Sequence, residues 1–337
     1  MITIKEIARL AGVSAKTAER ALSGATKDKR RDARERADRV RQIAAAHGYQ
    51  PSEVALALRR GSTRSFGFLV DILTDQFLAA AVETAMDEGE KKDYKIALRL
   101  ARFDKEQSAE AIKAFLASGM EGIITSCTPE QLPGELMENL ALRSFPFFTL
   151  CGRSPWNFSS AAPDYSEALF DAVGDLAARG HKKITLCLFT GKELDNQVTK
   201  QIFLESCAKW SVEGDFRLHH EKKQAALLAE EKLPAVILYG KYSMRIFLDR
   251  CREINHKSDV IGIYNEWTLA AAKTFELCGI ILEQAEDTVR NAVRQLCAQC
   301  EGAPVRHLSA KARFVPAEEF LDLKVADLAN QMLFEQP

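Results

Sequence analysis

Apolar positions at the start of the chain recur with the period of an α-helix. Ile4, Ile7, Ala8 and Ala11 fall on one face, and Gly12 interrupts them. Ser14 then offers an N-cap, and Thr17, Ala18, Ala21 and Leu22 continue a second helix that Gly24 ends. Two short helices joined by so tight a turn predict a helix-turn-helix, with Gly12 supplying the positive φ that the reversal needs. A third helix over roughly 32–46 offers Ala33, Ala37, Val40, Ile43 and Ala44 to close a small core, and His47-Gly48 marks its end. Pro51 and Ser52 can start, and Gly61 can end, a two-turn helix through Glu53–Arg60 that is too short to persist alone.

From Ser65 the period changes. Short apolar runs at Phe66–Asp71, Lys95–Arg99, Gly122–Thr125 and Phe147–Leu150 read as strands, with amphipathic helices near 77–91, 105–118 and 130–142 between them. A second series follows at Lys183–Phe189, Arg217–His219, Ala235–Leu238 and Val260–Ile263. This βαβ alternation predicts parallel sheets covered by helices on both faces. Two such series imply two similar lobes with a cleft between them, and ligands of such sheets sit beyond the carboxyl ends of the strands.

Composition changes little in this picture, but the distribution of charge does. The 337 residues are 47% hydrophobic and 28% charged, as expected of a globular protein of two or three units. Residues 1–64 hold 15 Lys and Arg against 7 Asp and Glu, a surplus of 8 within a whole chain of net charge −1. A basic head on an acidic body suggests that the head meets a polyanion. No apolar run approaches the length of a membrane helix, and Lys5, Glu6 and Arg9 spoil any secretory leader, so a cytoplasmic, nucleoid-associated protein without membrane contact is expected. The eight cysteines are scattered, and the lone pair Cys297 and Cys300 lacks the further ligands zinc needs. Neither metal nor cofactor is expected.

Several motifs, in order and at the right spacing, carry a resemblance. Ile2-Thr-Ile-Lys-Glu-Ile-Ala-Arg-Leu-Ala-Gly-Val-Ser14 is similar to the opening of the LacI (lactose-repressor) family of bacterial transcriptional regulators. Gly48-Tyr49, Pro51-Ser-Glu-Val-Ala55 and Leu58-Arg59 resemble its hinge segment. The likeness continues through Arg64-Ser-Phe-Gly67, Glu121-Gly-Ile-Ile124 and Leu176-Ala-Ala-Arg-Gly-His-Lys-Lys-Ile184. The resemblance implies an α/β fold: an all-α helix-turn-helix headpiece over 1–50, a hinge helix and linker over 51–64, and a two-lobed core over 65–337. That core is periplasmic-binding-protein-like, with lobe 1 at about 65–160 and 283–313 and lobe 2 at about 161–282 and 314–337.

The resemblance also implies a homodimer on a near-palindromic operator in double-stranded DNA, modulated by a small-molecule effector in the cleft. The family's recognition helix maps onto Ser14–Leu22. Ala15, Lys16 and Arg20 fall where the family reads base edges; Thr3, Ser14 and Thr17 fall where it contacts backbone. Leu58 matches the hinge leucine that wedges into the minor groove, with Arg59 beside it.

Departures are informative. Glu19 stands where the family has a small hydroxyl, and a carboxylate there can repel phosphate, pair with Lys16 or accept from a cytosine amine. The segment from Ser23 to Tyr49 is about four residues longer than usual, which shifts the basic run Lys27–Arg31. Where the family's sugar and purine receptors use an arginine and two aspartates, this chain has Thr199 (Lys200 if the register slips by one), Tyr242 and Tyr264. Phe77 matches a cleft aromatic, and Ser126, Arg153, Lys241, Asn265 and Trp267 follow predicted strands. A cleft of aromatics and cations is therefore expected. In the tail, Leu321, Val325, Leu328 and Met332 fit two heptads, too few for an oligomerisation helix and better suited to packing on lobe 2.

Two other function classes are disfavoured. A secreted solute receptor would lack the basic head. An enzyme needs a site, yet the first strand is followed by no G-x-G-x-x-G, Thr190-Gly-Lys192 lacks the upstream glycine of a P-loop, and His181, His219 and His220 have no ligand-spaced neighbours.

Overall fold

The computed structural model describes residues 2–22, 31–49, 52–150, 152–189, 193–219 and 222–322, which form two compact units, Met1–Arg64 and Ser65–Pro337. In the first unit α1 is Ile4–Ala11, α2 Ala15–Leu22, α3 Arg31–Ala46 and α4 Glu53–Arg60. Ile7, Ala8, Ala11, Ala18, Ala21, Ala37, Val40 and Ala44 make its core. Six of those eight are alanine, so helices α1 to α3 pack with little side chain between them. Gly12 adopts φ +66°, and the following Val13 N–H returns to the Ala8 carbonyl at 3.0 Å, closing α1 before α2 begins. The Gly24 stop and the Lys27–Arg30 part of the basic run lie outside the described residues.

The second unit holds two sheets. Its first half runs β1 (Ser65–Val70), α5 (Gln76–Lys91), β2 (Lys95–Leu100), α6 (Lys105–Ala117), β3 (Gly122–Thr125), α7 (Gly134–Leu142), β4 (Phe147–Thr149) and β5 (Ser159–Asp164). There follow α8 (Ser166–Ala178), β6 (Lys183–Phe189), α9 (Glu193–Lys209), β7 (Glu213–His219), α10 (Lys222–Glu230), β8 (Ala235–Tyr239), α11 (Lys241–Glu253) and β9 (Asp259–Asn265). The last elements are α12 (Leu269–Ala272), β10 (Gly279–Glu283), α13 (Ala285–Cys300), β11 (His307–Lys311), β12 (Arg313–Pro316) and α14 (Ala317–Asp322).

The first sheet, ordered β11-β5-β4-β3-β1-β2, is parallel throughout; the second, β12-β10-β9-β8-β6-β7, is parallel except for β12. Alternate residues of each strand face opposite layers. Phe66, Phe68 and Phe148 pack under α5 and α13, whereas Leu69, Ile123 and Phe147 pack under α6 and α7. In the second lobe Ile184, Leu186 and Ile237 face α8 and α9, and Val236, Leu238 and Val260 face α10 and α11. Each fully buried phenylalanine contributes about 1.5–3 kcal/mol. Glu88 on α5, only 2% exposed, is held by α13 through Arg294 Nε at 2.7 Å and Arg290 at 3.6 Å.

Several elements differ from the sequence reading. The helix expected from 130 starts at Gly134, because Pro133 cannot sit within it; a short 3₁₀ turn, Pro129–Gln131, precedes it. Strand β7 begins at Glu213 instead of Arg217, its polar start paired with Lys183 of β6 at 2.6 Å. Strands β5, β10, β11 and β12 were not anticipated as strands. The chain passes between the sheets three times, at Asp164–Ser166, Glu283–Ala285 and Lys311–Arg313. These crossings are tied together: Tyr165 donates its hydroxyl to Glu283, and Ala312 N–H donates to the Asp164 carbonyl at 2.9 Å. The tail beyond Asp322, with Val325, Leu328 and Met332, lies outside the described residues, as does the Leu321 side chain.

Candidate nucleic-acid interface and interlobe cleft

Ser14 immediately precedes α2, and its Oγ accepts from Thr17 N–H at 3.1 Å and lies 2.8 Å from Thr17 Oγ1. That cap pairs the two hydroxyls at one edge of the helix start. Thr3 does similar work for α1: its Oγ1 accepts from Glu6 N–H at 3.3 Å, while its own N–H donates to the Glu6 carboxylate at 2.8 Å. That backbone N–H, with the Thr3 hydroxyl, lowers the pKa of Glu6. Ala18 and Ala21 turn the inner face of α2 into the core. Ala15, Lys16, Thr17, Glu19 and Arg20 are left exposed. Arg41 of α3 anchors the far end, donating to the Ala21 carbonyl at 3.3 Å.

The headpiece leaves several of its cations outside ion pairs. Among the described residues Lys5, Arg9, Lys16, Arg34 and Arg39 join no ion pair, unlike Arg31 and Arg41, which hold Glu35 and Asp38. Unpaired cations on one small domain are what counterion release from a phosphate backbone requires. Tyr49, packed at the edge of the core, has its phenol raised by burial and by the charge of Glu19. Helix α4 is capped at both ends, by Ser52 Oγ accepting from Ala55 N–H at 3.4 Å and by Gly61 at φ +70°. On it Leu58 is 80% exposed. The Arg59 side chain lies outside the described residues.

At the cleft the residues expected to meet a ligand divide. Phe77, at the start of α5, packs against Trp267 with ring centroids 5.5 Å apart, an aromatic contact between segments of the two lobes. Arg153 is exposed, and its backbone N–H donates to Asp195 Oδ2 at 2.9 Å. Ser126 is buried at the end of β3, with its N–H donating to the Leu69 carbonyl. Thr199 is buried in α9 and donates to the Asp195 carbonyl at 2.9 Å. Tyr242 is half-exposed on α11, and Lys241 opens that helix with its side chain outside the described residues. Tyr264 lies in the core of the second lobe, its ring over Gly262, its hydroxyl without a hydrogen-bond partner among the described residues, and its pKa raised by burial. Asn265 Oδ1 accepts from Thr268 N–H at 3.1 Å and so closes its own turn. Phe77 thus meets Trp267, and the Arg153 backbone separately meets Asp195, whereas Thr199, Tyr264 and Asn265 are occupied by internal packing or bonding.

Comparison with known proteins separates headpiece from core. Residues 3–52 match the family described as bacterial regulatory proteins, lacI family. Those residues form a headpiece of the LacI family. Over 187 residues it is 33% identical to the HTH-type transcriptional regulator PtxS of Pseudomonas putida, covering 54% of this chain and 52% of that protein. The chain therefore spans about half the length of that relative. Over 280 residues it is 25% identical to catabolite control protein A of Priestia megaterium, covering 78% of this chain and 82% of that one. Its fold is similar to that of the Lac repressor bound to operator and an anti-inducer, with TM-score 0.76 and 15% identity, covering 95% of this chain and 99% of that one. No helix among the described residues is long and apolar enough to cross a membrane.

Where the two lobes meet, three carboxylates that sequence reasoning missed make contacts. Asp195, at the start of α9, fits its carboxylate against Gly152, where an added Cβ would lie 1.5 Å from Oδ2. Glu283, 8% exposed, takes the Tyr165 hydroxyl; burial, then the Glu283 charge, raise that phenol well above its ordinary value. Glu266 accepts from Ala285 N–H at 3.0 Å and from Glu286 N–H, capping α13 across the lobes, and burial raises its carboxyl. The side chains at the junction of the lobes thus include three acids beside the aromatic pair Phe77 and Trp267. Gly152 next to Arg153 was the available signal, but its meaning depends on a residue 43 positions away.

Proposed function

We propose that this chain is a sequence-specific DNA-binding transcriptional regulator, a repressor acting in the cytoplasm, that holds a near-palindromic operator as a homodimer. The observation that carries this reading is the recognition helix α2. It exposes Ala15, Lys16, Glu19 and Arg20 around a core rich in alanine, in the segment that matches the family. Lys16 and Arg20 donate to guanine O6 and N7 in the major groove; Thr3, Ser14 and Thr17 fix register on the phosphates. Leu58 is the minor-groove wedge, and Arg59 stands beside it. Two heads on a twofold dimer match two half-sites.

The cleft supplies the control. A small molecule between the lobes binds one relative arrangement of them more tightly and shifts the population toward it. Phe77, Trp267 and Arg153, which stand at contacts between segments of the two lobes, are the residues this reading sets against the ligand.

Fluorescence anisotropy on labelled duplex DNA over a salt series tests the reading. Binding whose logarithm falls steeply and linearly with the logarithm of salt, with a slope of several units, is expected. A chain that shows no affinity for duplex DNA at low salt contradicts it.

A further inference from the structure

Glu19 is the residue of the recognition helix that the operator reading leaves without a task. Its position around α2 assigns one. At about 100° per residue the exposed face runs, in order, Ala15, Glu19, Lys16, Arg20 and Thr17. The paired hydroxyls of Ser14 and Thr17 mark one edge, suited to phosphate. Glu19 stands toward the opposite edge, beside Ala15, and its charge is felt by Tyr49. Side chains on a helix lean toward its N-terminus, so the Glu19 carboxylate can reach over Ala15, one turn earlier. The Ala15 methyl leaves that space open, and the N-terminal end of a recognition helix is the end that meets base edges.

A carboxylate only accepts hydrogen bonds. Among groups in the major groove it can meet the N4 amine of cytosine or the N6 amine of adenine. Adenine N6 lies next to N7, whose lone pair repels a carboxylate, whereas the neighbour of cytosine N4 is a C–H. We infer that Glu19 is a specificity-determining residue that selects cytosine at one position of each operator half-site, next to the guanines read by Lys16 and Arg20. This assignment rests on the operator-binding reading.

Selection of full-length protein on random duplex DNA tests it, with the wild type compared to Glu19→Ala and Glu19→Gln. The wild type is expected to enrich a cytosine in each half-site and to prefer it by about 5- to 150-fold in competition. Glu19→Ala should flatten that position alone and leave the guanine positions intact. Glu19→Gln should move the preference from cytosine to adenine, because an amide offers both donor and acceptor. A motif unchanged in both variants, with affinity merely raised at every sequence, overturns the assignment and makes Glu19 a phosphate-repelling residue. Failure of every protein to enrich a motif overturns the operator reading itself, and this assignment with it.

Discussion

The carboxylate of Asp195, carried by the second lobe, lies in the notch left by Gly152 on the first. It accepts a 2.9 Å hydrogen bond from the backbone N–H of Arg153, and Gly152 holds φ +90°. The contact joins two segments that can separate only if the lobes move. Gly152→Ala meets two obstacles, a backbone conformation disfavoured for an L side chain and a Cβ 1.5 Å from the carboxylate. The expected cost is about 1–3 kcal/mol. Thermal unfolding should register it, and small-angle scattering should show a larger radius of gyration as the lobes part. An unchanged radius in both Gly152→Ala and Asp195→Ala would show that the contact does not hold them.

Arg294→Ala tests the bond between α5 and α13. Glu88 is buried with two guanidinium partners, so losing the nearer one leaves a partly compensated charge. The loss of stability should stay below the 3–5 kcal/mol of a fully orphaned buried charge, at about 1–3 kcal/mol, and removing Arg290 as well should bring it to the full value. Strictly independent losses in a double-mutant cycle would contradict the shared role.

Two substitutions on one helix separate folding from recognition. Ala18 is fully buried in the headpiece, and Ala18→Leu should overpack it by about 1–3 kcal/mol and weaken DNA binding through loss of the fold. Lys16→Ala, on the exposed face, should leave melting unchanged and weaken operator binding by about 1–3 kcal/mol. Calorimetry beside anisotropy distinguishes them.

Asp164, at the first crossing between sheets, accepts from Ser166 N–H at 3.0 Å, and that bond holds its pKa below the ordinary value of 3.8. A depressed carboxyl stabilises the fold above its unfolded pKa and loses that contribution as pH falls through the folded value. Melting temperature in the wild type should therefore decline more steeply below pH 4 than in Asp164→Asn. Parallel declines would remove Asp164 from the acid response.

How far the sequence was legible follows from the range of the forces involved. Helix α4 was readable because its caps, Ser52 and Gly61, are local, and β1 and β3 because Phe66–Val70 and Gly122–Thr125 are apolar runs in their own right. Strand β5 was not, since Ser159-Ser-Ala-Ala-Pro-Asp164 has no apolar alternation and becomes a strand by pairing with β4 and β11. Strand β7 was truncated for a related reason: its polar start is an edge held by an ion pair with β6. At the headpiece, exposure followed from helical period. At the cleft it did not, because Tyr165 and Glu283 stand 118 positions apart and meet only once both lobes have formed.

Helix α2 and Leu58, if they read a two-part operator, should be separable by selection of wild type and Leu58→Ala on random duplex DNA. Wild type is expected to enrich a palindrome with a flexible central step, and Leu58→Ala to bind the same half-sites far more weakly. A palindrome bound equally well by both proteins would contradict the wedge, and a wild type that enriches no sequence at any salt concentration would contradict operator binding altogether.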